Sequence, residues 1–593
     1  MPSACGAVLS SSCENVILSA NHGSTQLNGA VNRASVLEET HVNRFANLPS
    51  WGASLYSNLD VAATRHPEKI AISYYGCDMT YAELKRRVDA LAGFLQQRCG
   101  VVRGDRVVLY MQNSPQFIIG FYAIARAIAV VVPVNPMNIM GELRHVVADS
   151  GAKVALIGDE VHENARPLLG NILSHIVVAR YADYLPEFTD LALPAVLTRE
   201  AGNVADRSGG PDCEMPGVVQ WREALAANCV PSKHVAARND LAVIPYTSGT
   251  TGQPKGCMHT HGSAMHVISA SAQWLSIAQD AVFLCAVPMF HVTGMQLCMN
   301  MAILCGATMI VMTRWDAGCA ARLIERHRAT TWVSIPTMMI DFMSLPELDR
   351  FDLSSIVCLC GGGAAMPRAV AQEIESRWGI SYIEGYGLSE TMSATHFNPP
   401  DRVKQQCLGV PIQGVSSLIV DSTTLERTPT GTPGEIVIAG AQVFEGYWQR
   451  PDETREAFVE IDERRYLRTG DIGYVDEDGY LFIVDRLKRM INASGFKVWP
   501  SEVEAILYSH PAIQEACVVA ASDARRGETV KAFVVLRDGC NLSEEQVIAW
   551  AREQMASYKV PRVVKFVSAL PRSGSGKIQW RLLQQQERDS NDA

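Results

Sequence analysis

Short apolar, β-branched runs separated by amphipathic stretches constrain this chain more than any other feature. Such runs occupy 106–110, 128–134, 154–157, 176–179 and 309–312, and helical stretches separate several of them. Near residue 80 the pattern is explicit: Thr80 and Glu83 carry a capping-box signature, followed by Leu84, Val88, Leu91 and Leu95 at helical spacing. Strands and helices in series predict an α/β chain with largely parallel sheets. With 593 residues, 48% hydrophobic and 19% charged, the chain has apolar material for two or three folded bodies. The same numbers exclude a disordered, collagen-like or disulfide-stapled protein.

Charge and cysteine usage narrow the class. A formal charge of -10 argues against a nucleic-acid-coating protein, so an anionic ligand has to find a local basic site. The 16 cysteines are mostly scattered, and the close pair Cys358 and Cys360 lies in a run that reads as a buried strand. The reading is of reduced thiols in a cytoplasmic protein with no integral membrane segment. Residues 1–50, rich in Ser, Asn, Ala and Gly, read as an N-terminal extension, and 202–216 as a surface excursion. A large domain is expected over 51–485 and a smaller one over 486–593. In the latter, helix 500–508, strands 516–521 and 531–536 and helix 543–554 follow one another. That smaller part holds 16 Lys+Arg against 12 Asp+Glu, a net +4, which leaves -14 for the rest.

The densest chemical signal is Tyr246-Thr247-Ser248-Gly249-Thr250-Thr251-Gly252-Gln253-Pro254-Lys255-Gly256, which follows the apolar run 241–245. Glycines let backbone approach a phosphate, N–H groups and hydroxyls donate to its oxygens, and Lys255 adds a point charge. The register is not Gly-x-x-x-x-Gly-Lys-Ser/Thr, so an ordinary P-loop is disfavoured. Downstream, Glu384-Gly385-Tyr386-Gly387-Leu388-Ser389-Glu390 gathers an aromatic, flexible backbone, a hydroxyl and carboxylates, groups suited to a purine and to a hard cation beside phosphate. Asp471 follows a Thr-Gly turn, where a fixed carboxylate can accept from ribose hydroxyls.

Other segments complete a series: Pro288-Met289-Phe290-His291-Val292-Thr293-Gly294, Gly361-Gly362-Gly363-Ala364, Arg468-Thr469-Gly470-Asp471, Asp485-Arg486-Leu487-Lys488, Ser494-Gly495-Phe496-Lys497 and Gly576-Lys577-Ile578. In this order, over about residues 52–581, they resemble the acyl-adenylate-forming superfamily, which includes acyl-CoA synthetases, peptide-synthetase adenylation domains and firefly luciferase. The likeness is to bacterial fatty-acid and aryl-acid CoA ligases in particular. It implies a large adenylate-forming domain with parallel sheets and a small mobile α+β domain that turns about Lys488.

The resemblance also implies roles. ATP contacts fall to Thr247, Ser248, Gly249, Thr250, Thr251, Lys255, Gly362, Ala364, Glu384, Gly385, Tyr386, Gly387, Ser389, Asp471 and Arg486, with Tyr386 facing adenine. Glu390, with Thr247, implies the Mg²⁺ site. Lys577, His291 and Glu390 are the implied catalytic residues, Lys577 reaching the substrate carboxylate and the α-phosphate. His291, Val292, Met295, Gly361 and Gly363 line the acyl pocket, and Ser494, Gly495, Phe496 and Lys497 the CoA tunnel. Ser389 and Ser573 stand where the superfamily usually has Thr; the hydroxyl is kept.

ATP, Mg²⁺ and CoA are therefore the expected cofactor and co-substrates, and a small carboxylic acid the substrate. Met295, Met299, Met301, Met338 and Met339, in segments without Asp, Glu, Lys or Arg, suit an apolar acid, first a medium- or long-chain fatty acid. Alternatives are an aryl or arylalkanoic acid, acyl delivery to a carrier protein, luciferase-like oxidation of the adenylate, or a binding module without chemistry. A homodimer is compatible with the sequence.

Overall fold

Alternation in the sequence becomes strand order in space. The protein, seen in a computed structural model, is described over residues 53–198, 216–247, 254–493, 496–523, 527–572 and 578–591. Residues 1–50 and nearly all of the 202–216 segment lie outside these ranges.

Among the described residues, two large sheets carry the parallel architecture. The first runs Val410–Pro411, Ser393–Phe397, Ile383–Leu388, Cys358–Gly362, Thr331–Ser334, Val282–Cys285, Thr308–Val311, Ile70–Tyr74, Cys77–Thr80. Its inner pairs are parallel and antiparallel strands close both ends. The second runs His259–Thr260, Leu241–Val243, Val130–Pro133, Arg106–Tyr110, Val154–Gly158, His175–Ala179, Val218–Gln220, parallel except at its first pair.

Helices cover these sheets for legible reasons. Thr80 caps Tyr81–Gln97, its hydroxyl accepting from the Glu83 N–H at 3.2 Å, and Leu84, Val88, Leu91 and Leu95 are fully buried. Pro115–Arg126 is apolar nearly all round and is buried nearly all round, with Ser114 as cap and Pro115 at its first position. Cys358 and Cys360 are free thiols within a buried strand, as their apolar setting predicts.

An antiparallel sheet follows, built from Ser416–Val420, Gly434–Ala439, Arg464–Val475, Phe458–Ile461 and Leu481–Arg486. Beyond it, Phe496–Val498, Ile491–Ala493, Gly527–Leu536, Ile513–Asp523 and Val563–Phe566 form a further sheet with helices Pro500–Tyr508 and Glu544–Gln554. Val503, Leu507, Val518, Val530, Val534 and Val547 give it a core of its own. Leu481–Arg486 pairs with Arg464–Val475, so Arg486 ends a strand of the preceding sheet.

The apolar stretch after Pro288 has no simple period, and its structure shows why. Gly294–Asn300 winds as a wide π-helical segment before Met301–Cys305 continues as α-helix. A Cβ at Gly294 would collide with the Pro288 carbonyl, so the start of this segment requires glycine. Its two polar side chains are buried and satisfied. The Tyr122 hydroxyl donates to Asn300 Oδ1 (2.8 Å), Asn300 Nδ2 to Gln296 Oε1 (2.6 Å), and Gln296 Nε2 to the Ala264 carbonyl (3.1 Å). No described helix is long and apolar enough to cross a membrane.

Candidate active site

The Gly-rich segment is held by its ends. Tyr246–Thr247 and Lys255–Gly256 pair antiparallel, with Lys255 opposite Thr247. Ser248, Gly249, Thr250 and Thr251 lie between them, outside the described residues. Three contacts pin this ribbon. The Tyr246 hydroxyl donates to Asp149 Oδ2 at 2.7 Å, His145 Nε2 lies 3.0 Å from the Pro254 carbonyl, and the Trp448 N–H donates to the Gly256 carbonyl at 2.8 Å. Met258 and Glu445 extend the pairing through bonds to Gly446 and Met258 carbonyls. Asp149 also pairs with Arg450 at 2.6 Å and accepts from the Trp448 indole at its carbonyl, so one carboxylate ties the ribbon to the 445–450 segment.

Glu390 faces the same ribbon. The Tyr447 hydroxyl donates to Glu390 Oε1 at 2.9 Å, and the Lys255 ammonium sits 5.0 Å from the centre of the Tyr447 ring. Burial, and after it the Glu390 charge, push the Tyr447 hydroxyl far above its ordinary range, so it remains a donor. Backbone bonds fix the turn: the Phe444 N–H donates to the Glu390 carbonyl at 2.9 Å, and His259 Nε2 donates to the Ser389 carbonyl at 2.7 Å. Burial lowers the His259 pKa to about 4, so the ring is neutral at neutral pH.

A second polar centre lies at Asp471, whose side chain is fully buried. It accepts from the Tyr386 hydroxyl and pairs with Arg486 Nε, its opposite number in the antiparallel register. Where the sequence suggests a Thr-Gly turn, the structure has an irregularity inside the strand Arg464–Val475, with Gly470 at a φ of 67°. Thr469 braces it, its hydroxyl donating to the Ile436 carbonyl (2.7 Å) and accepting from the Asp471 N–H (3.0 Å). The Tyr386 ring is itself buried.

Close strand packing brings the remaining residues together. Gly361 and Gly362 pair with Glu384 and Gly385. A Cβ at Gly361 would strike the Ser334 carbonyl, and one at Gly387 the Ser393 carbonyl, so both positions demand glycine for approach rather than for turning. Gly363 and Ala364 follow as exposed positions at the strand end. Glu384 is buried and accepts the Met366 N–H at 2.6 Å. Burial raises its pKa to about 7, although N–H groups of Met366, Cys407 and Gln406 oppose the shift.

His291 stands out of the apolar run that carries it. It is exposed, and its Nδ1 accepts from the Thr293 N–H at 3.3 Å, while Val292 and Met295 are buried beneath. Asn113 pins this turn, accepting from the Met289 N–H (2.7 Å) and donating to the Val287 carbonyl (3.0 Å). Lys488 lies in the short helical turn Leu487–Arg489. Ser494, Gly495, Ser573 and Lys577 lie outside the described residues, and Phe496–Val498 is seen as a strand.

Sequence reasoning passed over Asp149, His259 and Tyr447. Only the Gly446-Tyr447-Trp448 cluster offered a signal, an aromatic pair behind a glycine, and nothing local connects it to Glu390.

Among the described residues no group of three or more His, Cys, Asp and Glu could by itself hold a metal ion. The donor set nevertheless fits Mg²⁺, which binds proteins through one or two carboxylates and completes its shell with water and substrate phosphates. Glu390, positioned by Tyr447, and the Thr247 hydroxyl would hold it.

The parallel double-sheet core, a Gly-rich ribbon beside a lysine and a carboxylate, and a buried Asp471 joined to the buried Tyr386 and the part-exposed Arg486 define an adenylate-forming fold. The family profile described as AMP-binding enzyme matches residues 59–448, and its C-terminal domain profile matches 502–577. A long-chain-fatty-acid–CoA ligase of Bacillus subtilis (strain 168) is 35% identical over 92% of this chain and 96% of its own length. A feruloyl-CoA synthase of Amycolatopsis is 33% identical over 87% and 95%. Among solved structures, ATP-bound MatB from Rhodopseudomonas palustris superposes with a TM-score of 0.79 at 27% identity, covering 91% of this chain and 99% of that one. The chain belongs to the AMP-binding enzyme family.

Proposed function

We propose that the protein is an AMP-forming acid–CoA ligase whose preferred acid is apolar, a medium- or long-chain fatty acid before an aryl acid. The observation that carries the reading is the Lys255–Tyr447–Glu390 triangle beside the Gly-rich segment, with a centre in which Tyr386 of the first large sheet meets Asp471 and Arg486 of the antiparallel sheet. The methionine-rich pocket segments and the relatives named for long-chain fatty acids support the apolar acid.

In the first half-reaction a carboxylate oxygen attacks the α-phosphorus of ATP, the Pα–O–Pβ bridge breaks and pyrophosphate leaves. Lys255 and the hydroxyls and N–H groups of Thr247, Ser248, Gly249, Thr250 and Thr251 take the phosphates. Tyr386, Asp471 and Arg486 take adenine and ribose, with Gly362, Ala364, Glu384, Gly385, Gly387 and Ser389 shaping the surrounding backbone. A bound Mg²⁺ would offset charge on the phosphate oxygens. Lys577 neutralises charge as it develops between the carboxylate and the α-phosphate. His291, Val292, Met295, Gly361 and Gly363 flank the acyl group.

In the second half-reaction 486–593 turns about Lys488, and Ser494, Gly495, Phe496 and Lys497 cover the site while the CoA thiol attacks the acyl carbon and AMP leaves. This division into 1–50, 51–485 and 486–593, a cytoplasmic location and a homodimer are parts of the same proposal.

The test is pyrophosphate release over acetate, fatty acids of increasing length, benzoates, cinnamates and amino acids, with and without CoA, with products weighed by mass spectrometry. Acyl-CoA from long apolar acids is the expected result. Acyl-AMP without thioester would favour a carrier-protein acceptor, and silence across the panel would overturn the reading.

A further inference from the structure

We propose that Tyr447 is a positioning residue serving two charged groups at once: its hydroxyl aims the Glu390 carboxylate and its ring face seats the Lys255 ammonium. This rests on the adenylation reading, in which Glu390 meets the metal and Lys255 the phosphates. The 2.9 Å bond to Glu390 Oε1 and the 5.0 Å approach of Lys255 to the ring centre come from opposite parts of one side chain. A phenol offers a donor at its tip and an electron-rich face for a cation.

The ring is held as such a role requires. Phe444 packs edge-on against it at 4.8 Å, and the Tyr447 N–H donates to Thr454 Oγ1 at 2.9 Å. Tyr447 bridges to Cys257 in the sheet manner, and its neighbour Trp448 bonds to both Gly256 and the Asp149 carbonyl. Asp149 in turn takes the Tyr246 hydroxyl and Arg450. Both ends of the Gly-rich segment are thus tied to the 445–450 segment that carries Tyr447. One rigid frame sets the spacing between a cation for phosphate and a carboxylate for metal, which neither residue fixes from its own element.

Two substitutions separate the two uses. Tyr447→Phe keeps the ring and removes the donor; Tyr447→Leu removes both. ATP affinity is measured by calorimetry on the full chain, once with Mg²⁺ and once in EDTA. Tyr447→Phe is expected to weaken binding of Mg·ATP about tenfold and to leave metal-free ATP within about twofold of the parent. Tyr447→Leu is expected to weaken both. Equal change of Tyr447→Phe in the two conditions, or change in neither, overturns the proposal, because a merely structural role would not distinguish them. Acid-dependent ATP–pyrophosphate exchange by the parent is measured alongside. Its absence overturns the adenylation reading and this proposal with it, whereas exchange with an unaltered Mg²⁺-to-EDTA ratio in Tyr447→Phe removes only the role of Tyr447.

Discussion

The polar cluster around Lys255, Glu390 and Asp471 and the apolar stretch 288–306, to which the proposed function assigns ATP and the acid, are built on opposite rules. Around Lys255, Glu390 and Asp471, charged groups are fixed by named partners: Tyr447 by hydroxyl and ring, Arg486 and Tyr386 by pairing. The 288–306 stretch has no Asp, Glu, Lys or Arg. It is held by burial of Met289, Val292, Met295, Leu297 and Met299 and by one satisfied polar relay through Gln296 and Asn300. Directional bonds specify one ligand geometry, whereas methionine packing adapts to shape. ATP recognition is therefore expected to fail abruptly on substitution, and acid selection to drift.

The largest effect belongs to the polar side. Asp471→Ala removes the partner of both Arg486 and Tyr386 and is expected to lower kcat/KM for ATP about a thousandfold in pyrophosphate exchange, leaving the ranking of acids unchanged. Glu384 tests burial of a carboxyl. Because its folded pKa is raised to about 7, it stabilises the fold fully below the ordinary carboxylate range and loses that contribution as pH climbs toward 7. Glu384→Gln is expected to flatten this slope, on the order of 2 to 3 kcal/mol between pH 4 and pH 7, read by urea melts of the two proteins.

Lys255→Met should cost about tenfold in ATP affinity, since one point charge among several donors is lost. Met295→Leu is the mildest: near-equal volume predicts a change of about threefold in the ratio of long to medium acids, with ATP kinetics unmoved. If Met295→Leu altered ATP binding, or Asp471→Ala reordered the acids, the two regions would not be separable.

Much of the frame was legible because its causes are local. The run 106–110 is a strand, 500–508 is a helix, and the Thr80 cap begins its helix where the capping signature places it. The run read from 128 to 134 begins two residues late, at Val130, because Ile128 takes a positive φ of 59° in the turn before the strand. The ribbon around Lys255 and the Asp471 carboxylate were legible in dense motifs, but the Thr-Gly step before Asp471 lies within the strand Arg464–Val475 and is not a turn. Tyr447 was not legible, since its meaning arises only when 445–448 lies beside 256–258 and beneath Glu390. Nor could periodicity describe 294–300, whose winding matches neither helical nor strand spacing. His291 sits in an apolar run, and the turn at Pro288 carries its side chain outward.

The central claim, that a carboxylate oxygen attacks the α-phosphorus to form an acyl-adenylate, is tested most directly with the best acid of the panel labelled with ¹⁸O in its carboxyl group. After turnover with ATP and CoA, the account predicts AMP carrying one ¹⁸O from the acid. Unlabelled AMP, or label in phosphate with ADP as co-product, would contradict it.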